Sequence, residues 1–248
     1  FLIFSFSILF IDGLYSIIFK KNILGYAYDG VRLSSFFRDE KILGSYISRL
    51  YPILVFLILY NNIKNKNILI SIVTFISLIL VALSGERTAI FIFFGFSILS
   101  LIFVKNLKKL FLINMILSIL IFVFILFIYD PIFERFINTT INGFTPQDGQ
   151  FLIFSNNHQS HYLTSLMIFL DNPLLGVGPK MFREVCQYNQ YIIYDGCSTH
   201  PHNIYMQLLS ETGIIGFLPV IIFFLFISFR LLISMLQNNK IDNSNIVI

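Results

Sequence analysis

The stretch that decides the fold is Gly213-Ile214-Ile215-Gly216-Phe217-Leu218-Pro219-Val220-Ile221-Ile222-Phe223-Phe224-Leu225-Phe226, which continues as an apolar run to Leu236. A helix needs roughly 20 apolar residues to cross a bilayer, and this run is long enough. Directly before it stands a polar block, His200-Pro201-His202-Asn203-Ile204-Tyr205-Met206-Gln207-Leu208-Leu209-Ser210-Glu211-Thr212. In helical geometry Asn203, Gln207, Ser210 and Glu211 share one face, while Ile204, Tyr205, Leu208 and Leu209 take the other. A polar face with two histidines at the edge of a bilayer is where function is to be sought.

Working outward, the whole chain has the same character. It is 56% hydrophobic and 12% charged, with a mean hydropathy of +0.81, whereas a soluble domain carries about 25% charged residues. Six apolar segments are read as spans: Phe1–Phe19, Gly44–Tyr60, Ile68–Leu83, Thr88–Val104, Leu110–Tyr129 and Gly213–Leu236. The expected fold class is an all-α polytopic membrane protein. It is read as one membrane domain over 1–248, with a large helical outer loop, Asp130–Thr212, between the fifth and sixth spans. The chain begins inside a span without a methionine, so further helices are expected upstream. The 30 phenylalanines are read as base-composition bias and carry no functional weight.

Two short loops fix the orientation. Asn61–Asn67 carries Lys64 and Lys66, Lys105–Lys109 carries three lysines, and neither has an acid. Short basic loops stay in the cytoplasm. Alternation then places 20–43, 84–87 and 130–212 outside. Ten of the 17 Lys and Arg fall outside on this topology, and the surplus of outer arginines asks for a reason such as anion binding. All four His and both Cys lie in the outer loop. Cys186 and Cys197 either pair in an oxidising compartment or remain free thiols; spacing alone leaves both open.

Several residues carry chemistry. In Ser84-Gly85-Glu86-Arg87-Thr88-Ala89, Arg87 faces water, Glu86 or a bound anion, because a mid-bilayer arginine costs about 2.5–3.5 kcal/mol on insertion scales. Its bland reading is an interfacial arginine that snorkels. Arg32 and Arg38, in Arg32-Leu33-Ser34-Ser35-Phe36-Phe37-Arg38, offer planar forks suited to phosphate, or belong to an ordinary solvated loop. His202 suits a general base and equally a structural cap after Pro201. His158 and His161 stand i, i+3 and with His200 and His202 form a metal reading that is set aside, since no carboxylate or Cys sits at ligand spacing. Asp171-Asn172-Pro173-Leu174-Leu175-Gly176-Val177-Gly178-Pro179 is a defined turn. It lacks the Lys-Ser/Thr ending of a P-loop. Asp12 is an intramembrane acid, a functional candidate by default, and is left out of the site.

Taken in order, Arg32, Ser84-Gly85-Glu86-Arg87-Thr88-Ala89, Asn172-Pro173-Leu174-Leu175-Gly176-Val177-Gly178-Pro179, His202-Asn203, Gln207 and Glu211-Thr212-Gly213-Ile214-Ile215-Gly216 resemble the O-antigen ligase and polymerase superfamily of polytopic bacterial inner-membrane glycosyltransferases. The resemblance runs from about Gly30 to Phe229. It implies a glycan donor on a polyprenyl pyrophosphate, presented at the periplasmic face, and an acceptor hydroxyl on lipid A-core or on another lipid-linked glycan. It implies transfer with no cofactor and no metal. Arg32 and Arg87 would hold the pyrophosphate, and His202 would take the acceptor proton. Arg38, Asn203, Gln207 and Glu211 would contact the donor or position His202. Two departures stand out. Family members often carry Gly near Ser35, and many carry Arg ahead of the helix that precedes the Asn-Pro turn, where this chain reads Asn157-His158-Gln159-Ser160-His161. The rival readings are an exporter or flippase of lipid-linked oligosaccharide, and a non-catalytic binder of the same lipid. Nucleic acid is not an expected partner.

Overall fold

The structure is a computed structural model that describes residues 1–61, 63–144 and 152–238. The described residues are predominantly helical and form no strand beyond one isolated Lys21–Ala27 bridge. The helices in order are α1 (Leu2–Phe19), α2 (Leu43–Tyr60), α3 (Lys66–Leu83), α4 (Arg87–Phe103), α5 (Lys108–Ile128), α6 (Asp130–Phe133), α7 (Thr139–Gly143), α8 (Asn156–Asp171), α9 (Phe182–Val185) and α10 (Ile204–Asn238). Among the described residues, α1, α2, α3, α5 and α10 are long and apolar enough to cross a membrane, and α4 is a shorter apolar helix of 17 residues. The sequence-read spans therefore coincide with helices throughout. The third extends two residues towards the N-terminus to reach 18.

The chain divides into two compact units, 1–139 and 140–248, which are taken separately below. In the first, α2 packs on α3 and α4, and α3 also meets α1 and α5. Leu43, Ile47, Tyr51, Ile70, Leu78 and Phe93 are buried at its centre. Tyr51 stacks on Phe93 at 5.1 Å and meets Phe96 edge-on. Its hydroxyl is paired with Thr74 Oγ1 at 2.8 Å, so this polar atom is not stranded in the apolar interior.

Asp12 has a structural task. Its side chain is fully buried. Oδ1 accepts from the Ile23 amide at 2.8 Å, and Oδ2 accepts from Ser35 Oγ. The intramembrane acid thus ties the 20–38 loop to α1. Ser35 has φ 51 and Arg38 φ 56, a left-handed backbone that favours Gly. Serine holds that conformation here through its tether to Asp12 and a bond from Asn22 Nδ2 to its carbonyl.

In the second unit α8 and α9 pack on α10, over a small core of Ile168, Phe182, Val185, Cys186 and Tyr191. Helix α10 breaks at Gly213 (φ 61, ψ −168), and the break explains the Asn172–Pro179 turn. A broken helix leaves carbonyls and amides without partners. Val177 and Gly178 donate to the freed Ser210 and Glu211 carbonyls at 3.0 and 2.8 Å. Ile214 and Ile215 donate to Pro173 and Leu174 at 2.9 and 3.2 Å. The two strips of backbone touch so closely that a Cβ on Gly176 would lie 2.6 Å from the Thr212 nitrogen, and one on Gly213 would lie 2.6 Å from the Leu175 nitrogen.

Candidate functional site

The arginines come first. Helix α2 starts at Leu43 behind Ile42, which offers no side-chain cap. Glu86 supplies the cap from the α3–α4 turn. Its Oε1 accepts from the Gly44 amide at 2.7 Å, and its Oε2 accepts from the Ser45 amide at 3.2 Å and Ser45 Oγ at 2.5 Å. A carboxylate at a helix N-terminus is favoured both by the free amides and by the helix dipole. A Cβ at Gly44 would stand 3.0 Å from Glu86 Oε1, so the approach depends on glycine there. With Glu86 committed to α2, Arg87 is left without its neighbouring acid.

Arg32 is held by its own loop. Asp29 Oδ1 accepts the Val31 and Arg32 amides, both at 2.9 Å, and Oδ2 pairs with Lys41 at 2.5 Å. The Arg32 guanidinium donates to the Ser84 and Lys41 carbonyls at 3.2 and 3.0 Å. A third arginine, Arg135, joins this group from a π-helical turn, Glu134–Asn138, that follows α6. Gly85 (φ 65) has the stems of Arg32 and Arg135 close by, since a Cβ there would meet their Cγ atoms at 3.2 and 3.4 Å. Arg87 Nη2 donates to the Arg135 carbonyl at 3.2 Å. Among the described residues no carboxylate lies within ion-pair distance of the three, and the Nε atoms of Arg87 and Arg135 are buried with no acceptor. Each such buried donor costs about 1–3 kcal/mol. Burial, and then the Arg135 charge, push the Arg32 pKa below its ordinary value. A cleft of about 610 Å³ opens beside Arg135, with Val31, Asp130, Pro131, Phe133 and Glu134 in its walls.

Arg135 is the residue that sequence reasoning did not single out. Its only signal was the surplus of outer arginines. Arg38 is placed elsewhere: its guanidinium lies 4.5 Å from the centre of the Tyr26 ring.

The histidines form their own cluster within the second unit. A disulfide joins Cys186, at the end of α9, to Cys197, with Cα atoms 5.2 Å apart, which settles the open question of the two thiols. Ile193 donates to Thr164 Oγ1 on α8 at 3.3 Å. A Cβ on Gly196 would sit 2.6 Å from the Ser160 carbonyl, so the loop lies flat on α8 there. The chain leaving this clamp delivers His200 and His202 to His158 and His161 of α8. Ring centroids lie 4.3 Å apart for His200–His202, 5.2 Å for His161–His202 and 6.0 Å for His158–His202. His202 has φ 54, a conformation that costs a non-glycine residue about 1–3 kcal/mol and that clusters at functional sites. His202 is exposed, yet partial desolvation, followed by the neighbouring imidazoles of His200, His161 and His158, holds its pKa below the ordinary 6.5. Among the described residues no three His, Cys, Asp or Glu are arranged to hold a metal ion.

The remaining polar residues of the block have structural partners. Asn203 Oδ1 accepts the Tyr205 amide at 2.9 Å and caps α10 directly after His202. Glu211 is buried; its Oε1 accepts the Phe182 amide at the start of α9 and its Oε2 accepts from Gln207 Nε2, both at 3.2 Å. Gln207 and Glu211 thus brace the α9 end of the disulfide clamp.

A family model described as O-antigen ligase matches residues 72–221, more than half of the chain and inclusive of Arg87, Arg135 and His202, though not of Arg32 or Arg38. No curated protein and no solved structure matches the chain. The chain is a multi-pass helical membrane protein that belongs to the O-antigen ligase family, with the membrane glycan-transfer role that such membership supports.

Proposed function

We propose that the protein is a glycosyltransferase of the bacterial inner membrane, acting at its periplasmic face. It moves a glycan from a polyprenyl diphosphate carrier to an acceptor hydroxyl, on lipid A-core or on another lipid-linked glycan. The whole chain is read as one ligase-like membrane domain, with 130–212 as its outer loop. Arg32 and Arg87 hold the carrier's diphosphate. His202 accepts the acceptor's proton as the acceptor oxygen bonds to the anomeric carbon. The bond from that carbon to the phosphate oxygen breaks, and its electron pair leaves with the diphosphate. Fixed cations stabilise that developing charge without reorganising, and arginine keeps its proton throughout. In this reading the arginines take the place that a metal ion would otherwise fill. Asn203 fixes the backbone beside His202, Gln207 and Glu211 fix the clamp behind it, and Arg38 contacts the donor.

The observation that supports the reading is the arginine group in which Glu86 is spent on α2, so that among the described residues none of the three guanidinium groups forms an ion pair with a carboxylate. It is tested with the intact protein in nanodiscs, where binding of the lipid-linked donor and glycan transfer are measured separately. His202→Ala is expected to bind donor and fail to transfer; Arg87→Ala is expected to lose donor binding. Normal transfer by both variants would overturn the assignment. An exporter or a pure binder would leave His202→Ala close to wild type.

A further inference from the structure

We infer that His161 is a positioning residue for His202: its buried Nδ1 accepts the ring N–H of His202 and holds that imidazole in the tautomer and direction in which its other nitrogen faces the acceptor hydroxyl. The inference rests on the reading of His202 as the base given above. A neutral imidazole carries a lone pair for an incoming proton on only one of its two nitrogens, and a partner on the other nitrogen decides which. A base is therefore usually oriented in turn by a third group. His202 lacks one in the resting protein. Among the described residues its ring forms no hydrogen bond, and the titratable neighbours that act on it are all imidazoles, those of His200, His161 and His158.

Three observations select His161 from these neighbours. The first is its unpartnered nitrogen. Helix α8 buries Ser160, His161, Thr164 and Ser165 along one face. Ser160 Oγ donates to the Asn156 carbonyl and Ser165 Oγ to the His161 carbonyl, both at 2.9 Å, and Thr164 Oγ1 accepts the Ile193 amide. On that face only His161 Nδ1 is buried without a partner. Native proteins keep few such atoms, and each asks for a reason. The second is that the other two rings are engaged by hydroxyls of their own segments. His158 Nδ1 pairs with Ser155 Oγ at 2.6 Å and His200 Nδ1 with Thr199 Oγ1 at 3.0 Å, and both rings are exposed. The third is geometry. The His161 and His202 ring centroids stand 5.2 Å apart with 44° between the planes. His161 is 7% exposed and fixed on its helix, whereas His202 is exposed with room to turn. A turn of the outer ring closes the contact on the inner one, and catalytic hydrogen bonds are often long before substrate arrives and tighten in the complex. When His202 takes the acceptor's proton on one nitrogen, the N–H on its other nitrogen donates to His161 Nδ1. The proton travels no further, and His161 stays neutral with its own proton on Nε2.

The test uses the intact protein in nanodiscs. A polyprenyl-diphosphate-linked oligosaccharide is the donor, and lipid A-core or a second copy of that lipid-linked oligosaccharide is the acceptor. His161→Phe keeps a planar ring and removes the nitrogen, while His161→Asn puts an amide oxygen near the place of Nδ1. The kcat of His161→Phe is expected to fall about ten- to a hundredfold with the KM for donor unchanged, and His161→Asn to recover part of the loss. A packing role predicts the reverse order, because Phe fills the space better than Asn. Ligand-free His161→Phe melts no lower than wild type, since a buried atom without a partner is gone. In a His202→Ala background, His161→Phe lowers transfer no further, because it acts through His202. If His161→Phe does not fold, His161→Leu takes its place with the same expectation. Transfer by His161→Phe equal to wild type, or above that of His161→Asn, overturns the inference, and so does a further loss in the double variant. If His202→Ala fails to transfer while His161→Phe transfers normally, the role of His161 alone fails. If His202→Ala itself transfers normally, the base reading fails.

Discussion

The arginine group of the first unit and the histidine cluster of the second are built by the same device and end in opposite electrical states. Each gathers like groups from separate segments of the chain. Guanidinium cannot release its proton, so the repulsion among Arg32, Arg87 and Arg135 persists until an anion relieves it. Imidazole can, and partial desolvation, followed by the neighbouring His200, His161 and His158, holds the His202 pKa below its ordinary value. On the proposed reading, one region is a standing cation for a leaving diphosphate and the other a proton acceptor for an attacking hydroxyl. Clustering alone does not say what a site does, and the proton chemistry of the clustered group decides.

Separating the two regions by mutation gives the largest expected effects. His202→Ala removes a general base and is expected to lower transfer about 10²- to 10⁴-fold, with donor affinity retained in a titration. Arg87→Ala is expected to weaken donor binding about 10- to 100-fold. Arg87→Lys should recover little of it, since an ammonium does not reproduce the fork. Equal loss of donor affinity in the His202 and Arg87 variants would erase the distinction between the regions.

The supports beneath the histidines give intermediate effects. Gly176→Ala places a Cβ against the Thr212 nitrogen at a position of φ 64 and is expected to cost about 2–4 kcal/mol, read as a lowered melting temperature with loss of transfer. Reducing the Cys186–Cys197 bond, which closes a separation of 11 residues, is expected to cost about 2–3 kcal/mol and to slow transfer more than donor binding, because the clamp delivers His202 and is distant in sequence from the arginines.

The smallest effect is in pH. Unfolded, His202 takes up its proton near 6.5; folded, it does so only at lower pH. Between those values the unfolded state binds more protons, so stability rises with pH there. His202's contribution is complete above 6.5 and is lost as pH falls through that window. The acid limb of transfer is therefore expected below 6.5. Replacing His200 by Gln, which removes a neighbouring charge, should move that limb upward. A limb above 6.5 in the wild type would contradict the crowding argument.

The spans were legible because a bilayer imposes a length that apolar runs display directly, and α1, α2, α3, α5 and the later part of α10 follow them. The Asn172–Pro179 turn was legible as a turn, but its partner was not, because the carbonyls it satisfies appear only when α10 breaks forty residues later at Gly213. Glu86 read as one of three alternatives to meet Arg87, beside water and a bound anion. Its real task depends on the missing cap at Ile42 in another segment. Asp12 read as a candidate by default, because such acids are costly, and was left out of the site; its cost is met by Ile23 and Ser35. His202, Arg32 and Arg87 stood out in the sequence as residue types suited to the proposed chemistry. Arg135 was hidden, because nothing in Glu134-Arg135-Phe136 announces the turn that brings it to Gly85.

The account stands on the cations and the imidazole facing the same compartment. Both native cysteines are tied in a disulfide, so a single thiol introduced by Arg87→Cys or His202→Cys can be labelled by a membrane-impermeant maleimide in oriented membranes. Both positions are expected to react from the exported side and neither from the cytoplasmic side. Reaction of the two positions from opposite sides would contradict the account at its root.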